Sequence, residues 1–357
     1  MEKRASGEWK LKAENDYRHW IEAFITICGD KPFTNYEKAD ARNFKSHIMI
    51  LPSNWRKHQA TRSASILEAP ALGKAAGLST ISLTTLNKAT GRLNYFWKWV
   101  EAHYDDVTPN LFQGLKVTTK TKGADERNPF SAEQLSTIFS SPLFVGCKSI
   151  QQRHQTGAVN MSKTAYYWLP ILSLFTGARL NELCQLRVSD VSEESEGLFL
   201  SITDHAEGQR IKTSSSKRRC PLHSTVLKLG FREYHEWRRS SGDDLLFKEV
   251  KLGADGYYSG QMSKAFGRFF DAIGVKTLKT SFHSFRHTFE DACLANDGRG
   301  DVLDALQGHS ASGMRGRYGT GDKTEVYPLS TLQKTIECVK YPSVDFGLIK
   351  CFGEDGS

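Results

Sequence analysis

The chain has 357 residues, enough for two domains that each bury a core of their own. Hydrophobic residues at 39% and charged residues at 25% are ordinary for a soluble globular protein, and the longest apolar run, Trp168–Phe175, is too short to span a bilayer. A formal net charge of +8 admits a polyanionic partner without requiring one. The N-terminus leads into charged sequence with no apolar signal core, so the expected location is the cytoplasm. Seven scattered cysteines without C-x-x-C spacing predict reduced thiols rather than a disulfide framework.

Residues 1–113 read as a helical unit. Tyr17, Trp20, Ile21, Phe24 and Ile27 recur at helical spacing, and Thr34 with Glu37 predicts a capping box for a second helix that Pro52 ends. A third helix is expected over Ser82–His103, with Leu86, Ala89, Leu93, Phe96 and Val100 facing the core. Lys88, Arg92, Tyr95 and Trp99 follow one another along another face, which reads as a solvated surface or as a nucleic-acid contact. Residues 114–128 are polar and basic and read as a linker holding Lys116, Lys120 and Lys122.

Ser131 with Gln134 restarts helical structure, and residues 129–341 read as a larger domain, mainly α with a small antiparallel β-sheet. Strands are expected at Leu198–Thr203 and Gln209–His223, with Thr213–Ser216 as a turn. Helices follow at Thr225–Arg239, Ser259–Ala272, His283–Ala295 and Asp301–Leu306. Residues 342–357 form a tail after a helical pattern at Leu329–Val339, with a short strand expected at Val344–Ile349.

Four segments carry the chemistry. Arg179, in T-G-A-R-L-N-E-L, stands where Gly177 ends an apolar helix and another begins, and Glu182 lies on its face three residues on. In isolation that is a surface ion pair. His283 and Arg286 form H-x-x-R near a helix start, one turn apart. Arginine is a planar fork of donors whose charge survives any physiological pH, and two of them suit the extra negative charge of a phosphorane. His309 follows Gly308 in Q-G-H-S, and Tyr318 comes nine residues later in R-G-R-Y-G. Two arginines, two histidines and a tyrosine suit the binding of a phosphodiester and its attack by a phenolic oxygen. A zinc site at His283 and His287 is the competing reading, but neither H-E-x-x-H nor a cysteine pair accompanies them, so no metal is expected. Gln209–Ser224 carries Arg210, Lys212, Lys217, Arg218 and Arg219 with no acid, which by itself could be a solvated strand edge.

In type and order these residues resemble the tyrosine recombinases, the phage integrase family. The resemblance covers nearly the whole chain and implies a helical, SAM-like core-binding domain, a linker and a catalytic domain. It implies that Arg179, His283, Arg286 and His309 bind the scissile phosphate and that Tyr318 forms a 3′-phosphotyrosyl link, with no cofactor. The family's general acid is a hairpin lysine, here Lys212, with Lys217 as the second candidate; Glu182 supports Arg179. Lys88, Arg92, Lys116, Lys120 and Lys122 are the expected DNA contacts. The implied partner is double-stranded DNA, bound by a homotetramer at synapsis and by a monomer or weak oligomer otherwise, with accessory DNA-bending proteins. A mobile element's integration or excision is the expected setting, near the nucleoid. The tail reads by itself as completing the domain's own core; relatives instead pass a C-terminal segment to a neighbouring protomer, so the resemblance implies docking in trans as the alternative. Some ten residues precede the first helix, so the chain either acts at simple sites or starts inside a longer integrase with an arm-binding domain. A type IB topoisomerase shares this chemistry and is the rival enzyme; a non-catalytic DNA-binding relative is the other alternative.

Overall fold

Aromatic side chains at helical spacing build the first core. A computed structural model describes residues 11–118, 127–194, 197–296, 298–309 and 326–354, divided into two units, Met1–Ala124 and Asp125–Ser357. In the first, α1 (Leu11–Cys28) packs on α2 (Lys38–Met49) and α4 (Leu83–His103), with the short α3 (Ala69–Ala75) between. Phe24 is the hub: its ring meets Tyr36, Phe44 and Phe112 at 5.0, 5.7 and 5.3 Å. Ser82 caps α4 by accepting from the Thr85 N–H at 3.2 Å.

Three local expectations change. The capping box is Glu37 with Asp40, so α2 starts at Lys38, and Thr34 lies in a 3-10 turn, Phe33–Asn35. The helix stops at Met49, before Pro52. On α4 the core position is taken by Trp97, not Phe96; its indole N–H donates to the Thr108 carbonyl at 2.9 Å. The start of the linker is also anchored. Asn87 exchanges hydrogen bonds with the backbone of Val117 at 2.8 and 2.9 Å.

The second unit is laid around α7 (Ala165–Thr176), in which every residue except Tyr166 is buried. Before it come α5 (Ala132–Phe139), with the Ser131–Gln134 capping box in place, and α6 (Pro142–Val145). After it come α8 (Leu180–Cys184) and a three-stranded antiparallel sheet in the order β1 (Val191–Glu194), β2 (Gly197–Ile202), β3 (Arg218–Pro221). Leu200 pairs with Val191 on one side and Cys220 on the other. The sequence reading missed β1 and extended β3 too far. Residues 203–217 form a long β2–β3 connection with a 3-10 turn at Ser214–Ser216, so Gln209–Lys217 is not strand. The helix expected at Thr225–Arg239 is broken by Gly230 (φ 89°) into α9 (Ser224–Lys228) and α10 (Phe231–Ser240). Then follow α11 (Ser259–Ala272), α12 (Ser284–Ala295), α13 (Gly300–Gln307) and α14 (Leu329–Glu337).

The tail does not form the strand expected at Val344–Ile349. Through residue 354 it closes on its own unit: Phe346–Leu348 is a 3-10 turn, and Tyr341, Val344 and Ile349 are buried. The Lys350 N–H donates to the Phe144 carbonyl and the Phe352 N–H to the Leu229 carbonyl, both at 3.0 Å. All seven cysteines are free, and no described helix is long and apolar enough to cross a membrane.

Candidate active site

Gly177 ends α7 in the left-handed region (φ 64°), where a Cβ would also lie 2.5 Å from the Phe289 ring on α12. Glycine there turns the chain so that Arg179 caps α8. The Arg179 N–H donates to Glu182 Oε2 at 2.9 Å, and its Nη1 donates to Oε1 at 2.7 Å. The expected support by Glu182 is therefore present, though the carboxylate is buried, at 3% exposure, not a surface group. Burial alone would raise its pKa; the charges and hydrogen bonds of Arg218 and Arg179 hold it down at about 2.

Arg218, which the sequence reading left among solvated cations, is fully buried. Its Nη2 donates to Glu182 Oε2 at 2.7 Å, its Nε to the Leu306 carbonyl at 2.6 Å, and its Nη1 to the Ser216 carbonyl at 2.8 Å. The signal was strand alternation: Arg218 and Cys220 occupy the inward positions of β3.

Arg286, on α12, donates from Nη1 to the Gly177 carbonyl and from Nη2 to the Gln307 carbonyl, both at 2.7 Å. The same Nη2 lies 2.7 Å from His309 Nε2. A guanidinium only donates, so Nε2 accepts and the His309 proton sits on Nδ1, 3.3 Å from Asp304 Oδ1. Asp304 is a second residue the sequence reading missed. Desolvation, then Arg286, lower the His309 pKa against the opposing pull of Asp304. Burial, Arg179 and Arg218 push Arg286 down to about 9, which leaves it charged at neutral pH.

His283 precedes α12 as an exposed residue, its ring 5.0 Å from that of His287. Desolvation first, then His287 and the guanidiniums of Arg286 and Arg179, bring it to about 4. His287 pairs locally with Glu290 at 3.7 Å. Among the described residues no three His, Cys, Asp or Glu side chains converge as a metal site.

The structure thus brings Arg179, Glu182, Arg286 and His309 together through Gly177 and Gln307. Lys212 and Lys217 flank the 3-10 turn whose last carbonyl Arg218 holds. Lys217 pairs with Asp204 at 2.9 Å, whereas Lys212 is exposed. Tyr318, Lys120 and Lys122 lie outside the described residues. In the first unit Lys88 and Lys116 are exposed. Arg92 is occupied differently: its Nε pairs with Asp16 at 2.7 Å, and its guanidinium covers the Tyr17 ring at 4.8 Å.

Residues 149–325 match the phage integrase family. The chain belongs to the tyrosine recombinases of that family, enzymes that break and rejoin DNA strands at specific sites. No curated protein matches it at a significant level. Among solved structures it is similar to the Tn1549 transposon integrase bound to transposon right-end DNA, at 19% identity and TM-score 0.54 over 92% of each chain. It is also similar to a lambda integrase dimer bound to a COC′ core site (16% identity, TM-score 0.53, 91% of this chain and 75% of that one). A lambda integrase tetramer on a Holliday junction gives 15% identity and TM-score 0.55 over 87% of this chain and 75% of that one. At these identities the likeness is one of fold.

Proposed function

We propose that the site holds a scissile phosphodiester of duplex DNA between Arg179 and Arg286, with His283 beside them and His309 turning from Arg286 and Asp304 to donate to the phosphate when DNA binds. The observation that carries this is the shared mount: Arg286 is bonded to the Gly177 carbonyl two residues before Arg179 and also bonds His309. Tyr318 attacks phosphorus through its phenolic oxygen and releases the phenolic proton to solvent. The P–O5′ bond breaks, a 3′-phosphotyrosyl bond forms, and Lys212 protonates the departing 5′-oxygen. Attack by another strand's 5′-hydroxyl reverses the step, so the energy of the phosphodiester is retained and no cofactor is consumed. Lys212 is preferred to Lys217 because Lys217 is engaged by Asp204.

The solved neighbours act on transposon ends and on a phage core site, which supports a role in moving a mobile element. The lambda tetramer on a Holliday junction supports assembly of four protomers on two DNA sites. Lys88, Lys116, Lys120 and Lys122 are the proposed backbone contacts, and the cytoplasmic nucleoid is the proposed place of action. The test is covalent capture on a nicked duplex taken from the ends of the element that encodes the chain. Wild type forms an adduct and Tyr318→Phe forms none; an adduct retained by that variant removes Tyr318 from the role. Relaxation of plasmid lacking any such site would favour a topoisomerase instead.

A further inference from the structure

We propose that Arg218 is a positioning residue: by filling one oxygen of Glu182 it keeps the outer donors of Arg179 free for a phosphate. The inference rests on the phosphate-binding role given to Arg179 above. An arginine three residues from a glutamate, both at one helix start, tends to close into a two-toothed fork with each nitrogen on its own oxygen. Here that closure is blocked. Glu182 Oε2 already accepts from Arg218 Nη2 at 2.7 Å and from the Arg179 backbone N–H at 2.9 Å. Arg179 is left with Oε1 through Nη1 alone, and its Nε and Nη2 make no hydrogen bond within the described residues. The side chain remains 23% exposed.

The rest of the Arg218 fork ties the surroundings to this arrangement. Nε holds the Leu306 carbonyl, one turn before His309, and Nη1 holds the end of the 3-10 turn between Lys212 and Lys217. Gly308 passes so close that a Cβ there would lie 3.1 Å from Arg218 Nη1. One buried guanidinium therefore touches the mounts of the first arginine, the second histidine and the general acid. Placing a cation there is costly, since an apolar residue at an inward strand position usually serves stability as well or better. A requirement at the site accounts for that cost.

The test reads Arg179 directly. Phenylglyoxal modifies guanidiniums that are not locked in ion pairs, and mass spectrometry of the intact chain's peptides gives the rate at Arg179. In Arg218→Met we expect Arg179 to close on the vacated oxygen and its labelling to slow about fivefold, the population effect of one added charge-assisted hydrogen bond. Simple loosening of the fold would speed labelling, so the two outcomes differ in sign. Arg218→Lys returns a cation to Glu182 and is expected to restore the wild-type rate; because it keeps the buried charge paired, it tests the idea even where the methionine variant lacks a cooperative melt. Unchanged or faster labelling in a cooperatively melting Arg218→Met, or no restoration by lysine, overturns the proposal. The readout needs neither DNA nor Tyr318. Failure of covalent capture would therefore strike the recombination roles alone, and failure of the labelling pattern would strike Arg218 alone.

Discussion

Arg286 donates to the carbonyl oxygen of Gly177 at 2.7 Å, two residues ahead of Arg179, so the two arginines are not set independently. The turn that ends α7 fixes both. Arg286→Lys keeps a charge but not the fork that spans Gly177, Gln307 and His309. Single-turnover cleavage of the nicked duplex should fall by about 10²- to 10³-fold with DNA binding retained. A rate within a few-fold of wild type would refute the paired mount.

Acid should destabilise the second unit in two windows. His283 falls from an ordinary 6.5 to about 4, so between those values the unfolded chain binds the proton that the folded chain refuses. Its contribution is intact above pH 6.5 and is lost as pH falls toward 4; His309 shifts in the same direction. Glu182 lies at about 2 against an ordinary 4.5, so its contribution is intact above 4.5 and is lost as pH falls through 2. Melting temperatures taken across pH should drop through both windows. His283→Asn should lessen the upper drop, leaving the share that belongs to His309, and should not change the lower one.

The general acid can be identified by the leaving group. Lys212→Ala should slow cleavage of an ordinary phosphodiester by about 10²- to 10⁴-fold. A bridging 5′-sulfur leaves as a thiolate without a proton, so that substrate should be cleaved at close to the wild-type rate. If Lys217→Ala shows this rescue instead, the Lys217–Asp204 pair opens when DNA binds.

On the first unit, Lys88 and Arg92 should differ. Each phosphate neutralised contributes about 0.9 to the log–log salt slope of duplex binding. Lys88→Ala should reduce the slope by about that amount, and Arg92→Ala by less, because Asp16 already takes much of its charge. Equal effects would mean that Arg92 leaves Asp16 for the DNA.

Removing residues 341–357 should abolish the cooperative melt of the second unit, since Tyr341, Val344 and Ile349 belong to its core. Ile349→Ala alone should cost about 2–4 kcal/mol. A truncated chain that melts like wild type would place these residues outside the folding unit.

Much of this was legible in the sequence. Helices with an amphipathic face and a clear start were read to within a residue, as at Ser259–Ala272, because their pattern reflects one buried side. The Arg179, Arg286 and His309 segments announced themselves by residue type and order, and the structure brings them together. What escaped depends on partners distant in the chain. Gly230 breaks a helix whose periodicity runs on across it. Arg218 looks like one more cation in a basic run until Glu182, 36 residues earlier, comes to lie beneath it. Trp97 replaced Phe96 because Tyr36, Phe33 and Phe112 surround that side of α4.

The buried contact between Glu182 and Arg218 also constrains how such a chain can diverge. Losing Glu182 strands the Arg218 charge in the interior, at a cost of about 3–5 kcal/mol, whereas losing Arg218 leaves Glu182 to Arg179 alone. Losing both together costs far less. The two positions should accordingly drift as a couple through evolution, although 36 residues separate them. A descendant that abandons strand transfer has little reason to keep either, so an apolar residue at 218 would mark a lineage that still holds DNA but has ceased to cut it.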